Sequence, residues 1–288
     1  MVYQGGACEN DGQDQDSRLV GWARASPEWL AIDDLRHTPV MEPDADEVVF
    51  ETIRTMVNDG EYLDDIPGLP GGPPPGARGF FQGRRDGPLR PLYLRGSPEH
   101  RQAQQAGLIM PLPALTPATP EAVQEAEAVI GYKLPRLLRR LYLEVGNGGF
   151  GPGYGVLGLS GGHRAGGKTA LDLYRQATPS SCWSFLPPGL LPLCGWGCAI
   201  FSFTDCSRRD GRMWAWDPNG GPVGREALFD QEVKLGDWLD QWVAGKLYQP
   251  TAIQDAMTGQ WRGATNAEIE AMQPPEVEDP PPISDSWL

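Results

Sequence analysis

Between residues 121 and 160 the chain reads EAVQEAEAVIGYKLPRLLRRLYLEVGNGGFGPGYGVLGLS, an order of signals that leaves few folding choices. Thr119-Pro120-Glu121 begins a helix. Threonine accepts from a first-turn amide, proline fills a position that needs no donor, and acids favour the positive helix end. Ala122, Val123, Ala126, Val129 and Ile130 share one face, and Gly131 stops the helix. Leu134-Pro135 starts a second helix, with Leu137, Leu138, Leu141, Tyr142 and Val145 facing in and Arg136, Arg139 and Arg140 facing out. Gly146-Asn147-Gly148-Gly149 then reverses the chain, because only Gly and Asn enter the left-handed backbone region cheaply. Gly153 to Leu159 is predicted to be a strand.

The flanking regions give weaker signals. Residues 1–17 carry almost no large apolar side chain and are expected to be disordered. Residues 18–110 form a region of unidentified type, expected to be an α/β extension. Within it, Ser26-Pro27-Glu28 is a helix start ahead of Trp29, Leu30 and Ile32. Val48, Val49, Ile53, Met56 and Val57 recur at helical spacing between Asp44 and Asp59. PGLPGGPPPG at 67–76 excludes helix and central strand. GFFQ and PLYLR flank Arg84-Arg85-Asp86-Gly87, which suggests a hairpin held to edge positions by Pro88 and Pro91. Its cluster Arg84, Arg85, Arg90 and Arg95 reads as a solvated rim.

After residue 160 the pattern predicts a helix over 169–177, a glycine turn at 191–198 leading into a strand at 199–203, and a strand at 212–217. A closing helix over 235–248 presents Leu235, Trp238, Leu239, Trp242 and Val243 on one face. Residues 251–288 form an acidic, proline-rich tail, with a short helix expected near Ile253 and Trp261.

The formal net charge is −14, and it is uneven. Residues 1–115 carry 18 acids and 10 bases, residues 116–250 carry 13 of each, and residues 251–288 carry 7 and 1. The acidity therefore belongs to the flanks. Such a chain is poorly suited to gripping nucleic-acid phosphates, so no direct nucleic-acid partner is expected. No apolar run reaches membrane-spanning length, and the N-terminal segment lacks the basic and apolar parts of a secretion signal. A cytoplasmic protein is expected. Five cysteines, an odd number without such a signal, do not form a disulfide framework.

The helix PEAVQEAEAVIG, the stretch YKLPRLLRRLYLEVGNGGFGPGYGVLGL, the turn LCGWGCAIFSF, the strand WAWDPNG and the helix GDWLDQWVAG occur in that order between residues 111 and 250. In this order they resemble the SUKH superfamily, the group of the fungal Smi/Knr cell-wall assembly regulators. The resemblance implies an α+β fold, with helices packed on a bent, mostly antiparallel sheet. It also implies a protein-binding scaffold rather than an enzyme, with no cofactor. Many bacterial members are immunity proteins that neutralise a cognate toxin by direct contact. One departure stands out: Gly195-Trp196-Gly197-Cys198 lacks the acidic residue that many members carry in this turn.

Several motifs invite chemistry. Gly162-His163-Arg164-Ala165-Gly166-Gly167-Lys168-Thr169 matches the phosphate-loop pattern, with Gly162, Gly167, Lys168 and Thr169 as the nucleotide-binding positions of an alternative, enzymatic reading. Against it, the downstream segments read as antiparallel strands, whereas that fold needs parallel β-α units. Gly153-x-Gly155-x-x-Gly158 matches a dinucleotide fingerprint but opens no helix. Cys194, Cys198 and Cys206, with Cys182 and His163, lack the paired spacing of a zinc ribbon, so no metal site is expected. His37, His100 and His163 fall in polar loops without a nucleophile beside them. Loops on a rigid scaffold are where recognition concentrates, and tryptophan is enriched at binding hot spots. The candidate partner-binding residues are therefore Asn147, Phe150, Tyr154, His163, Arg164, Trp183 and Trp196.

Overall fold

A computed structural model describes residues 44–70, 79–82, 89–176, 186–219, 221 and 224–272. The helix expected at Ser26 and the turn at 83–88 lie outside these residues, as does Trp183. The architecture is α+β, and every strand pair is antiparallel. α1 (Ala45–Asp59) leads into a three-stranded sheet of order β1-β3-β2, made of β1 (Asp65–Pro67), β2 (Gly79–Gln82) and β3 (Leu89–Leu94). α2 (Pro98–Gln105), α3 (Pro120–Ile130) and α4 (Arg136–Arg140) follow. α4 runs into a π-helical turn, Leu141–Val145. α5 (Ala170–Arg175) precedes a four-stranded sheet of order β4-β5-β6-β7: β4 (Leu190–Gly197), β5 (Ile200–Asp205), β6 (Met213–Trp216) and β7 (Leu228–Asp230). α6 (Leu235–Val243), the hairpin of β8 (Ala252–Gln254) and β9 (Trp261–Gly263), and α7 (Asn266–Met272) complete the described chain.

One core gathers most of these elements. It holds Val49, Phe50, Ile53 and Val57 of α1, Val123, Ala126 and Ile130 of α3, and Leu137, Leu138, Leu141, Tyr142 and Val145 of α4 and the π-turn. Leu190, Leu191 and Leu193 of β4 join it, with Leu235, Trp238, Leu239 and Trp242 of α6. Trp238 and Trp242 are fully buried, and each large side chain so placed contributes about 1.5–3 kcal/mol of transfer free energy. The expected α1 stripe needs one correction: Val48 is exposed, and Phe50 takes its place inside. The Arg140 guanidinium covers the Phe50 ring at 3.9 Å and pairs with Glu47, so one arginine of the second helix reaches across to α1.

Polar side chains lock the parts together where the apolar stripes alone would not. Asp64 accepts from Trp242 Nε1 at 2.7 Å and from the Gly153 amide at 2.9 Å. Arg95 lies 4.8 Å over the Trp242 ring and donates to the Trp242 and Val243 carbonyls, at 2.8 and 3.2 Å. It thereby caps the negative end of α6. The reading of Arg95 as part of a solvated rim is corrected: its side chain is only 14% exposed. Glu127, buried on α3, accepts from the Leu134 amide and from Lys133 Nζ, which fixes the turn between the two helices.

Other expectations also change. Gly153 to Leu159 is no strand; Gly153 and Gly155 take φ of 57° and 84°, which coils the chain, and only Val156 bridges to Cys194. Most of the stretch expected as a glycine turn, 191–198, is instead the long strand β4. Pro91 lies in the central strand β3, not at an edge. Gly68 donates to the Pro91 carbonyl, so the missing proline N–H faces the same side, beyond the end of β1 at Pro67. His100 is buried in α2 rather than in a loop, where Nδ1 accepts from the Gly96 amide. Ile253 and Trp261 lie on strands, not a helix; the Asp217 carboxylate draws this hairpin in by accepting from the Ala252 amide.

Asp64 generates two predictions. Asp64→Ala strips two shielded donors of their acceptor and lowers the unfolding free energy by about 2 kcal/mol, read by chemical denaturation. Burial, the largest influence, raises the Asp64 pKa above the ordinary 3.8, while the Gly153 and Trp242 bonds and the Arg95 charge oppose it. A raised carboxyl pKa means that the folded state holds the proton more tightly, so this contribution to stability declines as pH rises above 3.8. The stability of wild type relative to Asp64→Asn should therefore be greater at about pH 4 than at about pH 7.

Candidate functional site

Of the residues singled out in the sequence, Asn147, Tyr154, His163, Arg164 and Trp196 lie in loop 146–168 and the β4–β5 hairpin. Asn147 organises the loop. Its Oδ1 accepts from the Leu159 amide at 2.8 Å, its Nδ2 donates to the Ser160 carbonyl at 3.1 Å, and its own carbonyl accepts from the His163 amide at 2.9 Å. A Cβ at Gly158 or Gly162 would collide with Asn147. Glycine is needed there for close backbone approach, not for phosphate. The Gly153 amide is held by Asp64, and Tyr154 and Leu157 donate to the Gly195 and Leu193 carbonyls. The loop is thus sewn to β4 and to the N-terminal sheet at once.

The candidate residues take different places. Tyr154 is 61% exposed, and its hydroxyl lies over Gly197. His163 is half-buried and donates from Nε2 to the Tyr154 carbonyl at 2.9 Å, since a carbonyl can only accept. Arg164 is exposed and donates to the Gly167 carbonyl. Trp196 is half-buried, with Nε1 donating to Ser202 Oγ and its ring edge-on to Trp238 at 6.4 Å. Tyr154, His163 and Trp196 are therefore brought together around one turn. Phe150 is corrected: it is fully buried in the core and offers nothing to a partner. Asn147 serves the loop from within, and with Gly148, Gly162 and His163 lines a groove of about 450 Å³ beside residues 114–119.

The tip of the β4–β5 hairpin carries strain. Gly197 pairs with Ile200, leaving Cys198 and Ala199 as a two-residue loop with φ of 47° and 64°. Such loops favour Asn and Gly, because a left-handed residue with a Cβ costs about 1–2 kcal/mol. The Cys198 carbonyl is steadied by Asn219 Nδ2 at 2.8 Å. This turn holds a bent backbone beside Tyr154 and Trp196.

The phosphate-loop reading does not fit the geometry. Ala165 and Lys168 exchange both backbone hydrogen bonds across Gly166-Gly167, so these amides are engaged in a tight turn. Thr169 is buried as the N-cap of α5, in a capping box with Asp172, and Lys168 Nζ reaches Gln176 at 2.5 Å. The neighbouring sheet is antiparallel. Cys194 and Cys206 are buried thiols; burial pushes Cys194 well above its usual pKa and Cys206 up to about 12. Among the described residues no three His, Cys, Asp or Glu side chains are grouped to hold a metal ion.

Fold and face together define an α+β domain that presents a stiffened loop surface. Residues 117–244 match the model of the SMI1 / KNR4 family (SUKH-1), in line with the resemblance seen in the sequence. The match covers somewhat under half of the 288 residues. No curated protein and no solved structure matches the chain. No helix among the described residues is long and apolar enough to cross a membrane.

Two outcomes follow from this geometry. Ala199→Gly relieves the left-handed turn and raises stability by about 1 kcal/mol in thermal unfolding. Isothermal titration with ATP or GTP gives no heat that Lys168→Ala abolishes; Lys168-dependent binding would restore the phosphate-loop reading.

Proposed function

We propose that the chain is a protein-binding module, and that its partner is a cognate toxin neutralised by direct contact. The observation that carries this reading is the SUKH-1 match over residues 117–244. Three features support it. The loop face is rigid before any partner arrives, because Asn147, Asp64 and β4 hold it, and a preorganised loop loses little entropy on binding. Tyr154 stands proud of that face, an amphipathic ring of the type enriched at hot spots. The acidic flanks, with the net charge of −14, favour encounter with a basic protein. Tyr154, His163, Arg164 and Trp196 form the contact patch of this proposal, and no residue is assigned a catalytic role.

Co-expression with toxins encoded beside the gene tests it. Neutralisation should restore growth, and the toxin should co-purify with the chain. Tyr154→Ala should weaken the complex by roughly tenfold or more while leaving thermal stability unchanged. Failure of every neighbouring toxin to bind or to be neutralised would overturn the reading.

A further inference from the structure

A second cleft, of about 780 Å³, is enclosed by β7, α6, the β8–β9 hairpin and α7. Its volume lies in the range of specific binding sites. Trp214, Trp238, Trp261 and Tyr248 give it aromatic walls.

β7 is the last strand of its sheet. Gln231 donates to the Met213 carbonyl, and Asp217 donates to the Ala227 carbonyl, so residues 227, 229 and 231 turn their backbone towards β6. Leu228 and Asp230 therefore direct theirs to the opposite edge. Both residues line the cleft, and among the described residues no strand pairs with that edge. Two further donors are unused: the indole N–H groups of Trp214 and Trp238 are closed to solvent and find no hydrogen-bond acceptor among the described residues. Both N–H groups are covered by protein, so they sit within the cleft walls rather than facing a ligand.

The charges in the cleft select the ligand. Arg262 is engaged by Glu268 and Asp255, and Asp230 by Arg212. Glu232 is exposed, makes no ion pair among the described residues, and is held at φ 58°. Among the described residues the cleft thus offers one carboxylate outside any ion pair, whose charge also bears on Arg212, and no cation outside one.

We propose that this cleft takes an extended, basic peptide segment of a protein partner, added as a further strand along β7. Backbone groups of the peptide would pair with Leu228 and Asp230. A lysine or arginine side chain would lie between Glu232 and the aromatic walls. The proposal rests on the protein-binding reading and names a second contact surface for it.

The test uses the full chain, labelled with nitrogen-15, and two capped peptides of about eight residues: one alternates lysine with valine, the other glutamate with valine. The lysine peptide should shift the Trp214 and Trp238 indole resonances, and the glutamate peptide should not. Glu232→Lys, a surface change that leaves folding intact, should weaken the lysine peptide by roughly tenfold. Indole signals that stay still with both peptides, or lysine-peptide binding indifferent to Glu232→Lys, would overturn the proposal. If toxin capture persists in Glu232→Lys while the indoles stay still, the cleft fails and the protein-binding reading stands. If the peptide binds as expected but no toxin is neutralised, the cleft stands and the toxin reading falls.

Discussion

The Asp64 carboxylate is the interaction on which the arrangement of this molecule depends. One oxygen accepts from the indole of Trp242, near the end of α6, and the other from the Gly153 amide in the loop face. Arg95, one strand away, closes the same knot by capping α6. A single side chain therefore relates the N-terminal sheet, the last helix of the segment that matches the SUKH-1 model and the loops that carry Tyr154. Burial works against its charge, so the knot is held by hydrogen-bond geometry rather than by a favourable place for an anion. The energetic consequence is directional: removing the carboxylate leaves donors stranded, and protonating it relieves desolvation.

From that knot the binding face acquires its stiffness. The π-turn at Leu141–Val145 rotates Tyr142 inward, where its hydroxyl donates to the Leu157 carbonyl at 2.7 Å, and burial pushes the phenol pKa upward. Asn147 then fastens both ends of the glycine-rich loop, and β4 fastens its middle. The glycines permit these close approaches and the polar groups enforce them. The side chains that reach solvent include Tyr154, Arg164 and Lys168 of the loop and Cys198 and Ala199 of the turn, with His163 and Trp196 reaching it in part.

Much of this is legible in the sequence where the signals are local. The Thr119 cap, the Gly131 stop and the α6 stripe depend on residues within a few turns of one another, and the SUKH resemblance on the order in which such local signals follow. The errors have a common cause. Gly153–Leu159 has the composition of a strand, but its glycines adopt left-handed angles that only neighbouring backbone dictates. Phe150 looks like an exposed loop aromatic until the loop folds over it. Pro91 looks like an edge residue until β1 ends opposite it. Asp64 and Trp242 are 178 residues apart, and nothing in either local pattern announces the other. The phosphate-loop match fails for the same reason in reverse: spacing reproduces the motif, while the turn across Gly166-Gly167 has already engaged the Ala165 and Lys168 amides.

The knot predicts that residues 44–110 and residues 117–244 unfold together. Native-state hydrogen exchange under rising denaturant measures that coupling directly, because it reports the opening energy of each proton. The Trp242 indole proton and the Gly153 amide should exchange only through global unfolding, at the same free energy as the core amides of α3 and β5. Exchange of these two protons through a separate, lower-energy opening shared with β3 and α2, while the α3 and β5 amides stay protected, would contradict it.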